Sequence, residues 1–217
     1  MSSSEVCTAC WAPIVEDAFC GSCGCMITPG DSKKLMRKEL TNSAVPPRVV
    51  DLLLGGNLNV PAGGWLELLG DALGRKPMAV LAGPVGGGKT VAAAHAMAVN
   101  LPWHHDERRP LKALFVPAYE LMQISPYGSD LERLSQPDVL VLDDLGREYL
   151  DEKGFLLALI DALLNHRYDR GLITVMTTNL NAVSFSKRYG ERIVDRLREV
   201  GTFIEANIAS QRGGNRE

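Results

Sequence analysis

Gly83-Pro84-Val85-Gly86-Gly87-Gly88-Lys89-Thr90 decides how the rest of the chain is read. The octet fits G-x-x-x-x-G-K-[ST], with the apolar run 78–82 before it and the Ala-rich run 91–99 after it. That context predicts a strand, a phosphate-binding loop and a helix, in that order. Glycines let successive backbone N–H groups converge on a phosphate, and the helix starting near Lys89 adds its positive end. Lys89 is then placed to reach the β- and γ-phosphates of a nucleotide, and Thr90 to ligate Mg²⁺. The plain alternative is a Gly-rich turn that happens to end in Lys-Thr, and the flanking strand and helix weigh against it.

The partner of that loop lies some fifty residues on. Val139-Leu140-Val141-Leu142-Asp143-Asp144 is an unbroken apolar run ending in two acids, the pattern of a fully buried parallel strand with carboxylates at its carboxyl end. Ligand crevices of open α/β sheets lie at that end. One aspartate there can hold Mg²⁺ while its neighbour orients or deprotonates an attacking water. The alternative is an acidic turn in which Asp144 caps a helix. Residues 155–164 predict a helix apolar over most of its circumference, and 172–176 another buried strand that delivers Thr177-Thr178-Asn179. Asn179 at such a tip can hydrogen-bond a γ-phosphate or the lytic water; taken alone it is a turn residue.

A chain of 217 residues, 46% hydrophobic, can build one domain of ordinary size plus a small appendage. The net charge of -3 gives no overall basic field, so contact with nucleic acid would need a local patch. No apolar run reaches the length that spans a bilayer, and the first residues lack the charged and apolar regions of a secretory signal, which predicts a cytoplasmic protein without a membrane partner.

All 5 cysteines fall within the first 25 residues, so a disulfide framework is not expected. Cys7-x-x-Cys10 and Cys20-x-x-Cys23 form two knuckles, and four thiolates so spaced predict a structural Zn²⁺ site that supplies folding energy a short segment lacks. A redox pair or a disulfide knot are the other readings, and Cys25 can replace Cys23 as the fourth ligand. The expected organisation is a zinc-binding module over 1–28, a linker carrying a short basic helical segment (Lys33, Lys34, Arg37, Lys38) over 29–45, a P-loop domain over 46–208 and a flexible tail over 209–217. His104 and His105 have no partner ligands at metal-site spacing and are read as an exposed loop pair. Residues 111–117 predict a strand, 118–124 a helix and 202–208 the last strand.

Tyr189-Gly190-Glu191-Arg192-Ile193-Val194-Asp195-Arg196-Leu197-Arg198, read as a helix, puts Arg192 and Arg196 one turn apart on the same face while Ile193 and Leu197 face the core. Such arginines are either surface ion pairs or fingers that reach the nucleotide of a neighbouring subunit.

Taken together, Pro46-Pro47-Arg48, the octet 83–90, Leu140-Val141-Leu142-Asp143-Asp144-Leu145-Gly146, Arg167-Tyr168, Thr177-Thr178-Asn179-Leu180 and the motif 189–197 resemble, in that order, the DnaC/IstB-like AAA+ ATPases, which are replicative-helicase loaders and transposition helpers. The resemblance covers about residues 46–208. It implies a three-layer α/β/α P-loop NTPase domain of AAA+ type with parallel strand order 5-1-4-3-2, ATP bound at subunit interfaces of an ATP-dependent homo-oligomer, and Asn179 as sensor 1. It also implies Arg196 at the finger position with Arg192 as the next candidate, Asp143 for Mg²⁺ and Asp144 for the water. The chain stops after its last predicted strand, so the C-terminal helical lid of many AAA+ proteins is expected to be missing. Function follows as an ATPase that loads a replicative helicase on DNA, with single-stranded DNA as a partner. The alternatives are an IstB-like helper acting with a transposase, or a non-catalytic zinc adaptor whose nucleotide only stabilises a scaffold.

Overall fold

The computed structural model describes residues 29–55, 60–100, 112–124, 129–151 and 154–208. Cys7, Cys10, Cys20, Cys23 and Cys25, the His104–His105 pair and residues 209–217 lie outside them. The elements run α1 (Pro29–Asn42), α2 (Pro47–Leu54), α3 (Val60–Leu73), β1 (Met78–Ala82), α4 (Lys89–Asn100) and β2 (Ala113–Pro117). A 3-10 helix (Ala118–Gln123), α5 (Ser129–Ser135), β3 (Val139–Leu145), α6 (Phe155–Asp169), β4 (Ile173–Thr178), α7 (Ala182–Tyr189), α8 (Glu191–Val200) and β5 (Gly201–Glu205) follow.

The five strands form one parallel sheet in the order β2-β3-β4-β1-β5. Read from the other edge this is 5-1-4-3-2. Alternation along the strands explains why both faces are covered. Ala79, Leu81, Val139 and Val141 face a core built with Leu40, Val50, Trp65, Leu69 and the alanines of α4. Met78, Val80, Leu140 and Leu142 face the opposite core, with Leu159 and Leu163 of α6, Phe185 of α7 and Ile193 and Leu197 of α8. Ala92, Ala93 and Ala94 are fully buried, and side chains so small let α4 lie close under the sheet while favouring the helix itself.

Three features differ from the sequence reading. The basic helical segment expected in the stretch 29–45 is there as α1, but its carboxyl end packs on the domain: Leu40 and Val45 are buried in the first core, and the Phe115 N–H donates to the Ser43 carbonyl at 2.8 Å. An apolar residue every few positions among lysines was enough to dock one face. The stretch 189–198 is not one helix: Tyr189 ends α7, and Gly190, at φ 86°, separates it from α8. The last strand ends at Glu205, and the Ala206 N–H still reaches the Ala82 carbonyl at 3.0 Å. Among the described residues no helix is long and apolar enough to cross a membrane.

Candidate functional site

The loop between β1 and α4 needs its glycines for two physical reasons. Gly86 and Gly88 have φ values of 83° and 89°, where a Cβ is strained. At Gly83 and Gly87 the reason is space: a Cβ would stand 2.5 Å from the Ala206 carbonyl oxygen and 3.1 Å from that of Ile208. Trp65 of α3, fully buried, fixes the loop from below by donating its Nε1–H to the Gly87 carbonyl at 2.7 Å. A trans peptide points its N–H opposite its C=O, so this bond turns the Gly88 N–H away from α3. The first N–H groups of α4 have no carbonyl within the helix and face the same loop.

Lys89, the first residue of α4, is 5% exposed. Its ammonium donates to the carbonyls of Gly83 and Pro84 and to Oδ1 of Asn179, each at 2.8 Å. Asn179 comes directly after β4, which lies beside β1. Thr90, one residue on, donates its hydroxyl to Oδ1 of Asp143 at 2.9 Å.

Asp143 and Asp144 sit at an irregularity in the sheet. Leu142 pairs with Met176 and Leu145 with Thr178, so β3 advances three residues while β4 advances two. The extra residue is a β-bulge, which re-aims side chains at a strand end. Within it Asp144 adopts φ 61°, a left-handed conformation that aspartate tolerates better than most residues. Thr177 stitches the bulge: its hydroxyl donates to Asp143 Oδ1 at 2.7 Å and accepts from the Asp144 N–H at 2.9 Å. Thr178 donates to the Leu145 carbonyl at 2.7 Å. Burial pushes the Asp143 carboxyl above its usual range and the nearby Asp144 charge adds to this, while the hydroxyls of Thr177 and Thr90 and the Lys89 charge pull the other way. Asp144 is more open, and Arg147 reaches its Oδ2 at 3.2 Å.

Lys89, Thr90, Asp143 and Asn179 therefore meet at the carboxyl ends of β1, β3 and β4, with Asp144 beside them. Arg192 and Arg196 do not join them. Both reach Asp161 of α6, Arg192 at 3.5 Å with its side chain 74% exposed and Arg196 in a close pair with its side chain 18% exposed. Sequence reasoning missed Thr177, Trp65 and Glu148. A threonine in a buried strand must find a partner for its hydroxyl, which was a usable signal for Thr177; nothing in the sequence pointed to the other two. Hydroxyl and carboxylate oxygens in close pairing, as at Thr90 and Asp143, are the donor set a hard divalent cation takes, and a glycine loop with no room for Cβ atoms suits a phosphate.

The sheet order, the glycine loop on β1 and the acidic bulge on β3 define a three-layer α/β protein of the P-loop type. Its fold is shared with DnaI, at a TM-score of 0.52 and 24% identity over 70% of this chain and 84% of that one. Domain III of the Thermotoga maritima replication initiation protein DnaA matches at a TM-score of 0.52 and 17% identity, over 77% of this chain and 66% of that one. The DnaC helicase loader matches at 0.49 and 20% identity, over 80% of this chain and 99% of that one. No protein-family model and no curated protein matches the chain. At these identities the likeness to DnaI and to the DnaA domain is one of fold.

Proposed function

We propose that the chain is an AAA+ ATPase of the DnaC/IstB-like group that binds ATP with Mg²⁺ and uses its hydrolysis to act on a replicative helicase at DNA. The observation that carries this reading is the contact of Thr90 with Asp143 at 2.9 Å beside that of Lys89 with Asn179 at 2.8 Å, which brings the glycine loop, the acidic strand and the polar strand tip into one cleft. Thr90 and Asp143 would hold Mg²⁺, which when bound neutralises charge on the phosphates. The N–H groups of Gly86 and Gly88 and of the first residues of α4 serve the β-phosphate, Pro84 having none to offer. Lys89 trades a loop carbonyl for a phosphate oxygen. Asp144, re-aimed by the bulge and partly open, accepts the proton of the attacking water or orients it, and Asn179 holds the water or the γ-phosphate.

Arg196 and Arg192 serve in trans at a subunit interface, and of the two Arg192 needs less rearrangement because it is the more exposed. Cys7, Cys10, Cys20 and Cys23 hold a structural Zn²⁺ in a module that selects the partner, with no open coordination position for chemistry. The motifs are common to both kinds of ATPase; a fold in common with DnaI and a replication initiation protein is what favours replication over transposition.

Calorimetric titration with Mg·ATP and turnover assays with and without single-stranded DNA test the first part. Binding that is lost in Lys89→Ala, and turnover lost in Asp144→Asn, are expected; a wild-type chain that neither binds nor hydrolyses ATP sinks the proposal. Capture by a purified replicative helicase and by a transposase, compared side by side, decides the partner.

A further inference from the structure

Glu148 is a buried carboxylate that the nucleotide chemistry above does not use. Its side chain is 0% exposed, three residues past the bulge that carries Asp144. A charge so placed must be fully satisfied, and it is. Oε2 accepts the Gly146 N–H at 2.8 Å, while Oε1 accepts the Tyr189 hydroxyl and both Nε and an Nη of Arg188, the latter two at 3.2 Å. Arg188 also donates to the Glu148 carbonyl. Burial, then the Glu148 charge, pushes the Tyr189 phenol up, so it stays a donor.

The turn these bonds act on is strained at Asp144 and otherwise held by the sheet and by Arg147, whose guanidinium reaches Asp144 Oδ2 at 3.2 Å. Asp144 has φ 61° and Gly146 φ 101°. Thr177 holds the Asp144 N–H, Thr178 the Leu145 carbonyl, and the Arg147 N–H closes the turn on the Asp144 carbonyl at 3.3 Å. Glu148 adds the restraint that leaves the sheet, because Arg188 and Tyr189 belong to α7. That helix begins three residues after Asn179, and Leu180 between them lies against Gly146, where a Cβ would come within 2.9 Å of it. Strain at a site persists only where the surroundings over-determine it.

We propose that Glu148 is a positioning residue for Asp144, fixing the turn that aims this carboxylate and coupling its aim to the placement of α7. The inference rests on the ATPase reading of the site. A shift of α7, the helix attached to the Asn179 turn, is then felt at Asp144 through one carboxylate. A buried ion pair with a merely structural role would lower stability and leave the balance between binding and turnover alone.

The test is Glu148→Gln in the full chain, whose amide keeps the volume but can accept on one side only. Turnover should fall about tenfold or more while the ATP dissociation constant stays within about threefold. Amide hydrogen exchange over residues 144–148 should quicken by about tenfold. Native turnover in a folded Glu148→Gln overturns the proposal, and so does unchanged exchange. If that variant does not fold, Tyr189→Phe decides: it keeps the ring packed on Phe185, and a turnover loss of about threefold at unchanged affinity is expected, with no loss overturning the idea. A wild-type chain without turnover removes the ATPase reading, and exchange alone then shows whether Glu148 fixes the turn.

Discussion

The ammonium of Lys89 lies 2.8 Å from Oδ1 of Asn179, so the head of α4 and the tip of β4 share a hydrogen bond. To grip a phosphate Lys89 must exchange at least one partner. Asn179→Ala should therefore leave ATP affinity within about threefold and cut turnover roughly ten- to a hundredfold, since it removes a polar group needed where charge develops. Asn179→Asp should act differently, weakening ATP binding about tenfold or more by placing a like charge beside the phosphates. Titration and turnover of the two variants side by side check both; equal behaviour would mean that the amide is no sensor.

Asp143 offers a test with a sign. Its carboxyl is raised above the ordinary 3.8, so the folded chain holds the proton more readily than the unfolded one. The stability it contributes is present below 3.8 and lost as pH rises through the higher folded value; above that window the buried charge is a cost. Asp143→Asn keeps an acceptor for Thr90 and Thr177 and removes the charge. The metal-free variant should melt above the wild type at neutral pH, the gap should close as pH falls into the carboxylate range, and Mg²⁺-dependent turnover should drop about a hundredfold or more. Thermal melts across pH in a chelator would show it, and a gap independent of pH would mean that burial of charge is not the cause.

Arg167 is a structural residue in spite of its place in a family motif. Fully buried, it donates to the carbonyls of Ser135, Pro137 and Ile173 and to the Thr174 hydroxyl, and burial lowers its pKa to about 10. Arg167→Met strips several buried acceptors of their donor and should cost at least about 3 kcal/mol. That corresponds to a melting point lower by roughly 6–12 °C. Arg167→Lys should recover only part of the loss, because an ammonium lacks the planar fork. Urea melts of the two variants measure this.

The arginines of α8 make a prediction about assembly. With Asp161 holding both in cis, Asp161→Asn should release them and raise turnover at concentrations where subunits associate. Arg196→Ala and Arg192→Ala should spare ATP affinity, and the one that acts in trans should lose about tenfold or more in turnover. Mixing that variant with Lys89→Ala chains should restore part of the activity, because each supplies what the other lacks. No recovery on mixing would place the arginine in a cis role.

Most of the sheet could be read from the residues because a strand covered on both faces shows as an unbroken apolar run, as 78–82 and 139–142 do. The glycine loop was legible for a different reason: positions 83–90 must satisfy backbone geometry and phosphate contact together, which few residue combinations allow. The bulge at Asp144 was invisible, since one extra residue in a pairing is a property of two strands and not of either alone. Glu148 and Trp65 escaped for a related reason: their roles depend on partners forty and twenty-two positions away. That the helix α1 docks on the domain was not legible, because its apolar contribution, Leu40 with Val45 just beyond, is sparse among charges.

Ala206 and Ile208 set their carbonyl oxygens where side chains at positions 83 and 87 would otherwise stand. The polypeptide leaving β5 is thereby routed across the flank of the glycine loop. A purification tag, a dye or a fused reporter attached just past residue 208 is anchored beside Gly87, so such a handle will register what binds at the glycine loop.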